Sequence, residues 1–347
     1  MFLRHFSLKA IILSFGALLA LVAVYSVTVG PMNITMSDSL SVILPTSSSN
    51  EIAPHIQMVI QEIRLPRTLL CLVVGAILAL CGTVMQGLFR NPLAEPGIIG
   101  VSAGAALGAA LAIVMFSGFA AQYPQLMSMA AVPVFAFFGG AITTVLVYKL
   151  GTSKFGTSVT IMLLAGVAIS AISGAGIGYL NFVADDQMLR DLSLWSMGSL
   201  AGATWGGIGL ATVTLAILYA LFSRQSLALN ALLLGESEAS HLGIPVQKLK
   251  RKLIILTAIG VGVTVSLSGM IGFIGLVIPH LGRMLAGPDH RTLLPISALL
   301  GAMLLTVADM FSRVAVAPAE LPVGIVTALV GAPFFLYLLF QQKGKIL

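Results

Sequence analysis

The chain has 347 residues, 58% of them hydrophobic and only 9% charged, with a mean hydropathy of +1.05 and a formal net charge of +6. A soluble domain carries about 25% charged residues, so this composition excludes a cytosolic enzyme, a disordered chain and a nucleic-acid binder. The excess of 18 Lys and Arg over 12 Asp and Glu is therefore read first against the two sides of a membrane.

A helix crossing a hydrocarbon core of about 30 Å needs about 20 mostly apolar residues. Nine stretches meet that standard, at roughly 10–30, 67–88, 97–116, 127–149, 158–183, 205–222, 253–272, 293–311 and 323–341. The first is expected to stay as a span, because its apolar run is too long for a signal peptide and Gly30-Pro31-Met32-Asn33 is a poor cleavage site. Cys71 and Cys81 lie ten residues apart on the second, too far along one helix to form a disulfide. Gly97–Ala112 and Gly166–Gly178 are rich in small residues, which let helices approach closely in lipid. Gly174-x-Gly176-x-Gly178 belongs with that packing, since no strand precedes it.

A further segment, 273–286, has fourteen residues and is interrupted by Pro279, His280 and Arg283. Its length suggests a re-entrant segment, but charge bias decides otherwise. With ten crossings and an inner N-terminus, Arg4, Lys9, Arg90, Lys149, Lys154, Arg224, Lys248, Lys250, Arg251, Lys252, Arg283, Arg291, Lys343 and Lys345 fall inside. Only Arg64, Arg67, Arg190 and Arg313 fall outside, a split of 14 to 4, whereas nine crossings give 11 to 7. The positive-inside rule selects ten. The expected fold is all-α: a polytopic bundle of ten transmembrane helices forming one domain over 1–347, with an inner segment at 223–252.

Several chemistries are missing. The chain contains no G-x-x-x-x-G-K-[ST]; Gly151 and Gly156 are followed by Thr157, so it has no phosphate cradle of its own. His5, His55, His241, His280 and His290 are scattered without metal-ligand spacing, and no catalytic nucleophile–base set is recognisable. Asp309 is the main acid within a span, whereas a proton- or sodium-driven carrier needs a chain of them. An ion-coupled carrier and a membrane enzyme lose ground, so energy comes from a partner or the solute moves passively.

The outer arginines invite two readings, anchoring in headgroups or docking of an acidic partner. Arg190, in Asp185-Asp186-Gln187-Met188-Leu189-Arg190-Asp191, either pairs locally with Asp186 or Asp191 or faces an anionic solute at a pore entrance. The inner run Leu232–Gly243 opens a short helix with Glu236 and Glu238, ends it at Gly243, and sets Ala239 and Leu242 on one apolar face. That face either packs beneath the bundle or fits a partner's groove. The basic run Lys248–Lys252 is read as a topology anchor.

Six motifs in order resemble the permease subunits of ABC importers for iron-siderophores, haem and cobalamin, the FecCD-like family. They are Arg64-Leu65-Pro66-Arg67; Asn91-Pro92-Leu93-Ala94-Glu95-Pro96-Gly97; Trp195-Ser196-Met197-Gly198-Ser199-Leu200; Leu234-Gly235-Glu236 with Ala239 and Leu242-Gly243; Gly272-Phe273-Ile274-Gly275 to Pro279-His280; and Glu320-Leu321-Pro322-Val323-Gly324 to Gly331-Ala332-Pro333. The resemblance implies a type II ABC importer permease in the bacterial inner membrane, with both termini cytoplasmic. It implies a homodimer around one pathway, two copies of an ATPase subunit that binds ATP, and a periplasmic solute-binding protein.

By the same resemblance, Arg64, Arg67 and Arg313 receive acids of the binding protein. Leu234, Gly235, Glu236, Glu238, Ala239, His241, Leu242 and Gly243 form the segment that couples to the ATPase. Arg190, Met188, Met197 and Trp195 lie at the gate and pathway, and Pro279 and His280 are structural, the histidine capping backbone. The stretches 187–200 and 91–102 look most like the haem branch. Haem would then be the transported solute, with no resident cofactor or metal, and two Arg190 side chains across a twofold axis would match its two propionates. Ferric siderophore and cobalamin are the alternatives.

Overall fold

The computed structural model describes residues 8–43, 52–123, 126, 130–154 and 156–343. Arg4, His5 and Lys345 lie outside these residues, as do positions 44–51 of the first outer loop and 127–129 at the expected start of the fourth span.

The first span is α1 (Leu8–Thr28), and α2 (Met36–Ile43) follows in the outer loop. Next, α3 (Pro54–Met58) runs through a π-helical turn, Val59–Arg64, into α4 (Leu65–Phe89). The wider turn sits just ahead of Pro66, which has no N–H to offer the regular ladder. The result is a 36-residue rod rather than the expected 67–88, and 83% of its most apolar window is buried. It is the axis of the bundle. It ends at Arg90, whose φ of 50° is left-handed, while the Asn91 N–H returns to the Gln86 carbonyl.

A 3₁₀ turn, Pro96–Ile99, leads into α5 (Val101–Met115), followed by α6 (Ser117–Gln122) and α7 (Val132–Gly151). A two-residue hairpin pairs β1 (Thr152–Ser153) with β2 (Gly156–Thr157). Then come α8 (Val159–Val183), α9 (Asp186–Met197) and α10 (Trp205–Ser223). Each is N-capped by a side chain, from Ser158, Asp185 and Thr204 respectively. The expected inner loop at 223–252 is largely helical: α11 (Ser226–Leu234), α12 (Glu236–His241) and the first turns of α13 (Val246–Ser268). The chain closes with α14 (Ile274–Ala286), α15 (His290–Val314) and α16 (Val323–Lys343).

Among the described residues, seven helical segments are long and apolar enough to cross a membrane, and α5, α14 and the Val323–Leu338 part of α16 are shorter apolar helices, giving ten there. The eighth crossing shows how a short helix suffices. The 13 residues of α14 rise about 20 Å. Ahead of it, Met270 abuts Gly324 while Phe273 abuts Gly331. Those glycines stand seven residues apart on α16, or about 10 Å, so residues 270–272 form an extended segment that ends where Phe273 turns at a left-handed φ of 68°. Helix and extended segment together cover the ~30 Å core.

Irregular backbone at that depth needs partners from the protein itself. The Ser268 carbonyl accepts from the Ser199 N–H at 2.8 Å, and the Phe273 N–H donates to Glu95 Oε1 at 3.1 Å. Pro279 cannot donate to the Gly275 carbonyl four residues earlier, and Gln86 Nε2 from α4 does so instead, at 3.3 Å. Such contact requires α4 and α14 to touch backbone to backbone: a Cβ on Gly82 would stand 2.0 Å from the Gly275 oxygen.

Candidate functional site

Three regions carry the polar chemistry. At the outer end, α1 stops at Thr28 and leaves its last carbonyls without helical partners. Arg64 Nη1 donates to the Val27 and Thr28 carbonyls at 3.0 and 2.6 Å, and its Nη2 to that of Met32. Arg313 Nη1 reaches the Ser26 carbonyl at 3.0 Å. The other edge of Arg313 meets Asp309, with Nε to Oδ2 at 2.8 Å. Asp309 also holds Arg67, through Nε at 3.0 Å and Nη2 at 2.9 Å, and Arg67 Nη1 continues to Glu320 Oε2 at 2.5 Å.

One carboxylate thus bridges two guanidinium groups and ties α4 to α15. Relative exposures are 4% for Arg64 and Arg67, 2% for Arg313 and 0% for Asp309. Within the chain all three arginines are held by helix-end carbonyls or by Asp309. Glu320, which the sequence reading placed only inside a motif, is the more accessible member of the cluster. The Asp309–Arg313 spacing of four residues on one helix was the available signal.

At the opposite end, α12 forms as expected and Gly243 takes a φ of +82° beyond it. The single apolar face expected there is divided. Ala239 is fully buried beneath the bundle, whereas Leu234 and Leu242 are 70% and 65% exposed. Glu236 pairs with Lys250 at 2.6 Å, and Lys250 Nζ also donates to the Thr157 carbonyl at 3.0 Å. Gln247 Oε1 accepts from the Thr157 N–H at 2.9 Å. Lys250 is therefore a buried clamp between α12, the hairpin and α13, which corrects the reading of the whole basic run as a topology anchor. Glu238, His241 and Leu242 remain exposed.

The third region is α9. Its Asp185 cap accepts from the Met188 N–H at 2.9 Å, and Gln187 Nε2 donates to Asp191 Oδ1 at 2.9 Å. Arg190 is exposed and has no ion pair among the described residues, so neither local acid takes it. Met197 is exposed too, and Tyr179 and Phe182 project from α8, the latter 86% exposed. Met188 and Trp195 are partly buried, packed against core clusters. The end of α9 is seated on α16, where a Cβ on Gly324 would stand 2.1 Å from the Met197 oxygen. Among the described residues His280 caps no backbone group; its ring meets Phe334 edge-on at 5.9 Å.

The model of the FecCD transport family matches residues 18–341. The chain belongs to that family. It is 45% identical over 327 residues to the hemin transport system permease protein HmuU of Yersinia pestis, covering 94% of each chain. The cobalamin import system permease protein BtuC of Halobacterium salinarum is 40% identical, covering 84% of this chain and 76% of that one. The vitamin B12 import system permease protein BtuC of Klebsiella pneumoniae is 42% identical, covering 83% and 84%.

Among solved structures, an inward-facing conformation of a metal-chelate type ABC transporter superimposes with a TM-score of 0.82 at 36% identity, over 96% of this chain and 99% of that one. A second, PsaBC from Streptococcus pneumoniae in complex with Fab, shares the fold with a TM-score of 0.53 at 17% identity, over 81% and 93%. The chain is thus a FecCD-family permease subunit of an ABC importer and an integral membrane protein.

Proposed function

We propose that this permease imports haem across the bacterial inner membrane, receiving it from a periplasmic binding protein and drawing energy from two ATPase subunits. The observation that carries the substrate is the hemin permease likeness, 45% identity across 94% of both chains, against 42% across 83% of this chain for a vitamin B12 permease. The unpaired Arg190 supports it, because a homodimer would bring two such cations to one pathway, where two propionates can take them. Met197, Tyr179 and Phe182 add apolar and aromatic surface for a flat macrocycle.

Both termini and α12 are on the cytoplasmic side in this reading, as the positive-inside bias requires. Leu234 and Leu242 are the side chains offered to the ATPase groove, while Ala239 and the Glu236–Lys250 pair transmit its movement to α13 and the hairpin. At the outer face, an acid of the binding protein engages Arg67 by displacing Glu320, while Arg64 and Arg313 hold the surface in shape. Transport then proceeds by alternating access, with α9 gating the outer end.

The test is growth of a deletion strain on haem, ferric siderophore or, where cobalamin is required, vitamin B12. Loss confined to haem, restored by the wild type but not by Arg190→Ala, supports the reading. Growth on haem with loss on either other nutrient moves the substrate.

A further inference from the structure

We propose that a cavity between the end of α4, the start of α15 and the coupling segment binds a phosphate-bearing anion, supplied by an anionic phospholipid headgroup or by free phosphate. The cavity encloses about 250 Å³ and is lined by Gln86, Gly87, Arg90, Arg283, His290 and Leu293, among others. Its wall carries two guanidinium groups and no carboxylate. The Arg90 backbone N–H caps α4, but its side chain makes no hydrogen bond or ion pair among the described residues, and its Nη1 stands 3.8 Å from where a Cβ on Gly235 would be. Among the described residues the Arg283 side chain meets Gln86 Oε1 alone, through Nη2, which leaves the other donors of its fork open.

His290 supplies the independent observation. The residue is 1% exposed, and its Nε2 has no partner. The tautomer is fixed by neighbours. Asn230 Nδ2 donates to Asp289 Oδ1 at 2.7 Å, so its Oδ1 faces His290 and accepts both the His290 backbone N–H at 2.9 Å and Nδ1–H at 2.8 Å. Nε2 is left as the free atom, lodged against α4, where a Cβ on Gly87 would come within 2.5 Å of it. A buried polar atom without a partner is costly; with the proton on Nδ1, Nε2 is an acceptor, and the donor it lacks is supplied by the proton of a hydrogenphosphate or by a hydroxyl of a glycerol headgroup whose phosphate meets the two guanidinium groups. Asp289, the adjacent acid, is already engaged by Arg291 at 2.9 Å and by Asn230, so it does not neutralise the cavity.

Several divergent donors suit a tetrahedral anion better than a flat carboxylate. The site lies where α4 ends and α15 begins, at a bundle end, which is headgroup depth; basic pockets between helices are known to hold anionic lipid heads. Leu233 and Leu293 give an apolar edge for the glycerol end of a lipid. Contact with α11 and Gly235 would make occupancy felt by the coupling segment.

The experiment uses the purified full chain, stripped of lipid in detergent and returned to phosphatidylcholine bilayers with or without phosphatidylglycerol. Native mass spectrometry reads retained lipid, and a melting scan reads stabilisation. Retention of phosphatidylglycerol by wild type, weakened about tenfold in Arg90→Gln, supports the lipid source. Stabilisation by inorganic phosphate alone, lost in the same variant, supports free phosphate. Arg283→Gln should act likewise; should it fail to fold because its Gln86 contact is lost, the exposed Arg90 keeps the test decisive. Equal retention and equal melting in wild type and Arg90→Gln overturn the proposal, as does a variant whose only defect is loss of the ATPase partner.

Discussion

Replacing Asp309 with Asn keeps the shape of the side chain and removes the one carboxylate shared by Arg67 and Arg313. Both arginines are almost wholly buried, and Asp309 is entirely so. Removing one partner of a buried ion pair costs about 3–5 kcal/mol, because the remaining charge cannot reach water. Here two charges lose their counterion, although Glu320 still touches Arg67 and the α1 carbonyls still touch Arg313. We therefore expect about 3 kcal/mol at least, which at about 2–4 °C per kcal/mol lowers the apparent melting temperature in detergent by about 6–12 °C.

A double-mutant cycle isolates the pair. Arg313→Gln alone should destabilise, yet cost markedly less in the Asp309→Asn background, because the cation it removes is already uncompensated. An Asp309→Asn protein that melts within 2 °C of wild type would refute the reasoning, and so would strict additivity of the two substitutions.

Glu320→Gln should cost about 1 kcal/mol or less, since that carboxylate is partly exposed. It should also tighten binding-protein association at low salt if docking requires an acid to take Arg67; unchanged affinity in a binding titration would count against that exchange. Gly82→Ala places a methyl 2.0 Å from the Gly275 oxygen and should abolish stable expression, whereas Gly174→Ala, with nothing within 4 Å, should be neutral or stabilise by about 0.5–1 kcal/mol; detergent-extract yields and melting scans compare them. Leu242→Asp should leave the fold intact yet uncouple ATP hydrolysis from the binding protein, while Ala239→Trp should unfold α12 locally; an ATPase assay in reconstituted vesicles separates the two. Asp289 has its pKa lowered to about 2, chiefly by its hydrogen bonds from Arg291. Its contribution to stability is therefore complete above about pH 4 and is lost as the pH falls toward 2. Asp289→Asn should flatten the acid limb of the melting curve, and an unchanged limb would contradict the pairing.

Ten crossings, their order and their approximate limits follow from apolar run length and the placement of Lys and Arg, because a bilayer imposes one thickness and one charge bias on every segment. The family resemblance was equally legible, since its motifs are local strings such as Asn91–Gly97 and Gly272–His280. Even α12 was readable, from its acidic start and terminal glycine. What tertiary structure decided was which side chain meets which partner. Arg64, Arg67 and Arg313 look alike as outer cations in a sequence, yet two of them complete the end of α1 and two share Asp309, contacts spanning up to 287 positions along the chain. Likewise, no pattern in the sequence assigns the Gln86 amide to the carbonyl that Pro279 orphans, or turns Asn230 toward His290. Hydropathy and charge act on each segment independently, so they are visible one segment at a time. A hydrogen bond between distant segments depends on the packed positions of both, and those exist only once the bundle has formed.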